Sequence, residues 1–171
     1  LKEKDYIREG HTQQLKFYVS KIAEKMGLSS EKSRNLQLLA QFHDLGKVGI
    51  SDRILFKSET LTAEEYQEMK RHCEIGHRIA LSSPDLAPIA DLILKHHEWW
   101  NGRGYPLGLK GEEIPIECRI LAVAEAYDIM TNQRPYQDSR SGQQATDELR
   151  RAAGTQFDPA VVEIFIEEIK P

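Results

Sequence analysis

The sequence predicts an all-α domain, and three observations support this. Apolar residues recur with the helical period over most of the chain, and no stretch shows the sustained apolar and polar alternation of a half-buried strand. Glycine and proline are concentrated between the periodic segments. With 171 residues, of which 40% are hydrophobic, the chain is long enough for one domain with a buried core.

The predicted helices follow one another with short connections. The first helix is expected over 3–26 and the second over 31–45, each followed by a glycine that favours termination. The stretch 47–61 has no clear period and is predicted to be a connecting loop. A capping-box pattern opens a third helix over 62–81, and two prolines open a fourth over 84–98.

A long irregular segment divides these helices from the rest. Residues 101–115 contain four glycines and two prolines, which predicts an ordered loop without regular structure. A fifth helix over 116–131 is apolar on nearly every side and is expected at the centre of the bundle. Ser141 and Asp158 are placed as the N-caps of two final helices, with Gly154 between them.

Composition excludes several classes of function. The net charge of −4 and the pI near 5.9 argue against binding to long nucleic acids, and no apolar run approaches the ~20 residues of a membrane span. Cys73 and Cys118 form no CxxC pair, which predicts two buried thiols rather than a disulfide or a thiolate zinc site. We expect a cytoplasmic protein, and we expect 1–171 to be a single domain excised from a longer chain that begins before Leu1.

Polar residues interrupt the second helix where packing would favour apolar ones. His43 and Asp44 lie in an apolar segment, where an unpaired carboxylate would cost several kcal/mol. Lys47 can share their face and form an ion pair with Asp44, but that pair leaves His43 unexplained. A metal ion would explain both residues.

The fifth helix repeats this pattern. Glu125 and Asp128 share one face of an apolar helix, which is unfavourable without a cation or a hydrogen-bond donor nearby. Arg119 or Arg134 could pair with one of the two acids, and a metal ion could bind the other.

The remaining histidines suggest two metal ions. His96 and His97 end an apolar helix, and adjacent helical side chains diverge by about 100°, so the pair is expected to reach two metals or one metal and a supporting group. His72 lies on the amphipathic third helix, whereas His77 is expected on the surface. Imidazoles with carboxylates suit zinc, iron or manganese, and two-metal sites of this kind hydrolyse phosphate esters.

Two motifs make the pattern specific. HDLGK runs from His43 to Lys47, and HHEWWNGRGYP runs from His96 to Pro106. GLKGEEIP, RILAVAEAYD, RPY and FDP follow in order, so that the match covers nearly the whole chain. With these motifs the sequence resembles the HD-GYP family of the HD superfamily.

The resemblance implies an HD-domain helical bundle with an extended GYP loop that hydrolyses cyclic di-GMP to linear pGpG, in some members onward to GMP, through a bridging hydroxide at a two-metal site. Iron and manganese are the expected metals. Diguanylate cyclase (GGDEF) domains and an upstream sensor or receiver domain are the expected partners. By position, the implied metal ligands are His11, His43, Asp44, His72, His96, His97 and Glu125. Asp44 and Lys47 are the implied catalytic residues, and the substrate side is assigned to Lys47, Arg103, Gly104, Tyr105, Pro106 and Arg134.

The sequence departs from the family pattern at three positions. Glu125 replaces the usual Asp, Asn101 replaces the Asp of the loop, and Ile7 stands where members with a third metal carry Glu. We therefore predict two metals. The first two departures leave open a weakly active module that works through ligand binding or partner contacts of the loop 101–111. Another cyclic dinucleotide, such as cyclic GMP-AMP, is a further alternative substrate. Trp99 and Trp100 are expected to pack rather than to stack on guanine.

Overall fold

The computed structural model describes residues 2–132 and 140–169, with side chains from His11 onward, and confirms the all-α class. Within these ranges the structure contains no strand, and only isolated bridges join Asn101 to Lys110 and Ala153 to Phe157. The helices are α1 (Lys2–Lys25), α2 (Ser30–Phe42), α3 (Asp52–Leu55), α4 (Ala63–Lys70), α5 (His72–Leu81), α6 (Ala90–Lys95), α7 (Ile116–Thr131), α8 (Gly142–Ala152) and α9 (Pro159–Ile169). Short 3-10 turns lie at Leu45–Gly49, Ala87–Ile89 and Gly111–Glu113.

Helix α7 lies at the centre of the bundle, as its apolar sequence predicts. It packs against α1, α2, α6, α8 and α9. On α1, the side chains of Leu15, Val19 and Ile22 form the buried stripe that faces this core. None of the described helices is long and apolar enough to span a bilayer.

The capping signals are confirmed. The Thr62 side chain accepts a hydrogen bond from the Glu65 backbone amide at the start of α4, and the Glu65 carboxylate accepts one from the Thr62 backbone amide. Ser141 caps α8 in the same way, and the Asp158 carboxylate accepts from the Ala160 amide at the start of α9. Residues 101–115 are irregular as predicted, apart from one short 3-10 turn.

Several predicted helices are shorter than their apolar patterns suggest. Helix α2 ends at Phe42, and the predicted third helix is divided into α4 and α5 at Arg71. The predicted fourth helix over 84–98 is reduced to α6 (Ala90–Lys95), because a 3-10 turn at Ala87–Ile89 precedes it and the helix ends before His96. The predicted loop 47–61 contains α3 and most of a 3-10 turn. His43 directly follows α2 and His96 directly follows α6, whereas Arg71 separates α4 from His72 at the start of α5.

Two glycines allow the chain segment after α2 to lie directly on α5. A Cβ atom at Gly46 would fall 1.8 Å from the carbonyl oxygen of His72, and one at Gly76 would fall 2.8 Å from a methyl carbon of Ile93. Backbone therefore meets backbone at this crossing. The approach positions Asp44 and Lys47 beside the first turn of α5.

We predict that Gly46→Ala destabilises the protein by about 2 kcal/mol or more, because the added methyl meets backbone that cannot move aside. The matched control is Gly49→Ala, whose added Cβ would meet only the flexible Ile75 side chain, at 3.0 Å. Urea denaturation of the two variants measures the difference. Equal stabilities would contradict the proposed backbone contact.

Candidate metal centre

Four potential ligands converge where α5 meets the end of α6. The donor atoms of His72, Cys73, His96 and His97 all lie within 4.8 Å of one another. The imidazole rings of His96 and His97 have centroids 4.2 Å apart. The expected divergence of this pair is therefore wrong, because α6 ends at Lys95 and the two histidines do not lie on continuous helix.

Three histidines of the two donor groups have the same ring orientation, with Nδ1 directed at the backbone and Nε2 directed at other side chains. Nδ1 of His43, His72 and His96 each lies within hydrogen-bonding distance of a carbonyl oxygen three residues earlier, at 3.1, 2.7 and 2.6 Å respectively. If Nδ1 carries the proton in these contacts, Nε2 presents its lone pair. The Nε2 atom of His96 is buried and has no hydrogen-bond partner. An orphaned nitrogen in such a position fits a metal ligand.

Asp44 links this first group to a second one. His43, Asp44 and Glu125 offer donor atoms that lie within 4.8 Å of one another, with His43 Nε2 3.1 Å from Glu125 Oε1. One carboxylate oxygen of Asp44 is 3.6 Å from His43 Nε2, and the other is 3.7 Å from His72 Nε2. The two oxygens of Asp44 therefore face different groups, which suits a carboxylate that bridges two metal ions.

The charges of these side chains are unevenly distributed. Burial alone would lower the pKa of His43, but the carboxylates of Glu125 and Asp44 outweigh it and raise that pKa to about 9. Burial and the neighbouring imidazole of His72 lower the pKa of His97 to about 3. Burial also lowers the pKa of His72 and His96. At neutral pH these three imidazoles are uncharged and able to bind a cation.

Lys47 lies at the open edge of the site. Its Nζ is 2.8 Å from Asp44 Oδ2, which gives the ion pair that the spacing predicts. Desolvation opposes ionisation of Asp44, but His43 and Lys47 hold the pKa of its carboxyl well below its ordinary value. A third of the Lys47 side chain remains exposed, so that its ammonium group is accessible to a ligand.

His11 and Asp128 form a separate pair beside the second group. His11 Nδ1 is 3.1 Å from Asp128 Oδ2, and the Asn132 amide donates to the other oxygen of Asp128. Neither group of converging donors includes His11. The expectation that Arg119 might pair with Glu125 or Asp128 is wrong, because Arg119 donates to Asp158 at 2.8 Å. The contact between His11 Nδ1 and the Asp128 carboxylate is of the kind that commonly orients a metal-binding histidine.

The GYP loop, which comprises residues 101–111, contacts His97 and the neighbouring Glu98. Tyr105 stacks on the His97 ring with centroids 5.0 Å apart, and its amide donates to the His97 carbonyl oxygen. The buried carboxylate of Glu98 accepts hydrogen bonds from the amides of Leu107 and Leu109. Sequence reasoning missed Glu98, although an acid directly after two candidate ligands is a signal that could have drawn attention to it.

The residues that the sequence assigns to the substrate are described only in part. A Cβ at Gly104 would fall 2.3 Å from the Trp99 amide nitrogen, so only glycine fits there, and Pro106 follows a cis peptide bond. The Asn101 side chain accepts from the exposed Arg103 amide, which preserves a turn at the position where the family has Asp. Arg134 lies outside the described residues.

A lysine not singled out in the sequence adds a cation at the rim. Lys70 Nζ lies 5.1 Å from the ring centroid of Tyr66 and 5.4 Å from that of Tyr105. Its neighbour in the sequence, Arg71, pairs with Glu68, whereas no described carboxylate pairs with Lys70. The ammonium group is thus held by two aromatic faces at the mouth of the site.

Other predictions concerned residues around the centre. His77 is only partly exposed, and its Nδ1 lies 3.0 Å from the Ala90 carbonyl oxygen, so that it joins α5 to α6 rather than lying free on the surface. Trp100 is partly buried with Arg119 over its ring, as expected, whereas the expectation that Trp99 packs is wrong, because 37% of Trp99 is exposed to solvent. Cys73 and Cys118 are buried thiols, as predicted, but the spacing of the cysteines gave no sign that Cys73 lies among metal-ligand candidates.

Comparison with protein families identifies the family of this chain. The HD domain model matches residues 1–161. The chain belongs to the HD domain family. This agrees with the motifs, and similar proteins named as cyclic di-GMP phosphodiesterases confirm the recognition made from the sequence.

Several curated proteins are similar over most of this chain. A cyclic di-GMP phosphodiesterase of Thermotoga maritima is 42% identical, with 95% of this chain and 45% of that protein covered. The cyclic di-GMP phosphodiesterase response regulator RpfG of Xanthomonas campestris is 40% identical, with 85% and 39% covered. A 3′3′-cGAMP-specific phosphodiesterase of Vibrio cholerae is 36% identical, with 92% and 30% covered. The chain thus spans less than half the length of these relatives.

Solved structures share this HD fold. A cyclic GMP-AMP-specific phosphodiesterase of V. cholerae superposes with a TM-score of 0.75 at 24% identity, covering 92% of this chain and 43% of that one. The HD domain of the phosphodiesterase PgpH from L. monocytogenes gives 0.62 at 14% identity, covering 94% and 88%. At these identities the likeness concerns the fold.

We predict that the metal-free HD domain loses stability as the pH rises from 6.5 to 9. The folded-state pKa of His43, about 9, exceeds the unfolded value near 6.5, so its contribution is complete below pH 6.5 and is lost as the pH passes 9. The expected decrease in the free energy of unfolding is on the order of 2 kcal/mol. Urea denaturation in the presence of a metal chelator, repeated at several pH values between 6.5 and 9, measures this free energy.

His43→Gln is the control for this pH dependence, because glutamine can still bond to Glu125 but does not titrate. The variant should show a much flatter profile between pH 6.5 and 9. An unchanged profile would contradict the assignment of the charge to His43.

Proposed function

We propose that this HD domain is a metal-dependent phosphodiesterase that hydrolyses cyclic di-GMP to linear pGpG, with GMP as a further product to be tested. The observation that supports this proposal best is the position of Asp44 between two groups of converging donors. The buried, unpartnered Nε2 of His96 supports it independently. The relatives named as cyclic di-GMP phosphodiesterases supply the substrate class.

The two groups of donors would each hold one divalent ion. We assign His43, Asp44 and Glu125 to one ion, with His11 on the same side, and His72, His96 and His97 to the other, with Asp44 shared. Iron or manganese is the expected metal because of the resemblance to the HD-GYP family, and a donor set of imidazoles and carboxylates suits either ion. When bound, such ions supply Lewis acidity to a phosphate and acidify water.

The residues of the chain provide orientation and charge for the reaction. The carbonyl contacts at Nδ1 fix the imidazoles of His43, His72 and His96, so that little reorganisation accompanies ligand binding. Lys47 can offset charge that develops on phosphoryl oxygens, since its ammonium group borders Asp44 and is partly exposed. The departure at Glu125 retains a carboxylate within 3.1 Å of His43.

The substrate is proposed to lie between Lys47 and the GYP loop. Tyr105 offers an aromatic ring beside His97, and Lys70 places a second cation at the rim. Gly104 and Pro106 shape the loop, and Arg103 and Arg134 are retained as proposed contacts for phosphate. Two phosphates in a cyclic dinucleotide call for more than one cation, because the protein as a whole is acidic.

A second candidate substrate is 3′3′-cyclic GMP-AMP. One relative, 36% identical to this chain, is named as specific for that dinucleotide. Both substrates contain the same phosphodiester linkages and differ in one base, so the proposed metal chemistry serves either. Turnover of the two dinucleotides under the same conditions separates them.

The setting of the domain is proposed from the same relatives. Because the chain spans only part of their length, we propose that it works within a larger protein with a sensor or receiver domain, in the cytoplasm, where the exposed loop could contact diguanylate cyclase (GGDEF) domains. A regulatory module with little turnover remains the alternative, and it predicts that loss of Asp44 leaves cellular function intact.

We predict that Asp44→Asn lowers turnover of cyclic di-GMP at least a hundredfold, because the amide removes the charge shared by both groups. The matched control is Asp91→Asn, since Asp91 is an exposed acid on α6 and lies outside both groups of donors. Product formation by metal-loaded protein, followed by chromatography, measures both. Wild-type protein that holds two metals and yields no linear product would contradict the proposed function.

We also predict that Lys70→Met raises KM for the dinucleotide several-fold while metal content stays unchanged, because Lys70 contacts aromatic rings and no donor group. Lys21→Met removes a comparable lysine, 5.3 Å from the Phe17 ring centroid and far in sequence from the loop, and should leave KM unchanged. Steady-state kinetics tests both variants. An equal effect of the two substitutions would exclude a specific role of Lys70.

A further inference from the structure

Cys73 differs from the other buried cysteine in what surrounds its sulfur. Cys118 Sγ donates to the carbonyl oxygen of Leu92 at 3.3 Å, which is an ordinary contact for a buried thiol. Cys73 is fully buried, and its Sγ lies 3.7 Å from Nε2 of His72, the nitrogen that faces the first donor group. Among the described residues, only Cys73 places a sulfur atom within the converging donors.

The distances suit shared coordination. With metal–sulfur and metal–nitrogen bonds of about 2.3 and 2.0 Å, two ligands at a tetrahedral angle are separated by roughly 3.5 Å. The sulfur of Cys73 and the nitrogen of His72 are close to that separation, and both lie within 4.8 Å of the donor atoms of His96 and His97. The buried Nε2 of His96 has no hydrogen-bond partner, belongs to one of these four residues, and independently fits a nitrogen that binds a cation.

We propose that Cys73 is a thiolate ligand of the ion held by His72, His96 and His97. The metal–sulfur bond forms as the thiol loses its proton to solvent, and the sulfur changes no oxidation state. This proposal rests on the proposed metal-dependent function and adds a soft, charged donor to one of its two sites. A thiolate favours zinc or iron(II) over manganese, so the two sites of the domain differ in metal preference.

Cobalt(II) substitution tests the ligand directly. A thiolate bound to cobalt gives an intense sulfur-to-metal charge-transfer band in the near ultraviolet, whereas imidazole and carboxylate ligands give only weaker visible bands. Wild-type protein and Cys118→Ser should both show the near-ultraviolet band on stoichiometric loading. Cys73→Ser and Cys73→Ala should lose this band and keep the visible bands of the remaining ligands.

A second readout concerns metal preference. Competition between zinc and manganese should show that Cys73→Ser weakens zinc binding about tenfold or more, while manganese binding changes much less. The Cys118→Ser variant should retain the wild-type preference, because its sulfur contacts only a carbonyl oxygen.

The outcomes distinguish this proposal from the function on which it rests. Cobalt-loaded wild-type protein that hydrolyses cyclic di-GMP without a near-ultraviolet band would overturn the thiolate ligand and leave the enzyme assignment intact. Protein that binds no cobalt would contradict both. Because the wild-type spectrum alone can refute the ligand, the test holds even if a Cys73 variant fails to fold.

Discussion

The arrangement depends on a carboxylate held between imidazoles inside a helical bundle. Asp44 faces His43 with one oxygen and His72 with the other, and Lys47 compensates only part of its charge. The Asp44 side chain is only partly withdrawn from water, with 39% of its surface exposed, and even this partial loss of hydration is favourable only when cations or donors replace it. The close crossing at Gly46 holds Asp44 in this position, since any larger residue would meet the His72 backbone. The site is therefore built by backbone packing as much as by side-chain attraction.

The ends of the helices follow from the same requirement. His43 directly follows α2, His72 opens α5 after the break at Arg71, and His96 directly follows α6. At each position the ring nitrogen contacts a carbonyl oxygen three residues earlier. A repeated local contact thus orients three imidazoles in the same way, and for His43 the contact between Nε2 and Glu125 adds to it. Helices α2 and α6, which end at these histidines, form fewer internal hydrogen bonds than continued helices would. The extensive apolar surface that α7 buries at the centre of the bundle stabilises the fold instead.

The sequence was sufficient for the fold class, the central helix and most of the residues that converge as donors, but it did not indicate Cys73, and it suggested His11, which lies in neither donor group. The apolar periodicity predicts α7, and polar residues at apolar positions of the second helix indicate His43 and Asp44. Helix ends were less predictable, because the apolar pattern continues past Phe42 and Lys95 although the helices do not. For that reason the convergence of His96 with His97 could not be foreseen. Contacts such as Cys73 with His72, or His11 with Asp128, depend on side-chain directions that spacing alone does not give.

The GYP loop and the metal centre share one short segment, and this has a mechanical consequence. His96, His97 and Glu98 are consecutive; the first two face the donor group, and the third binds two loop amides. Glu98 is buried, so losing those amides would leave a carboxylate without hydrogen-bond donors. Movement of the loop would therefore carry Glu98 with it and displace the neighbouring imidazoles. Under the proposed function, ligand binding at the loop would therefore affect metal binding at His97 through these three adjacent residues.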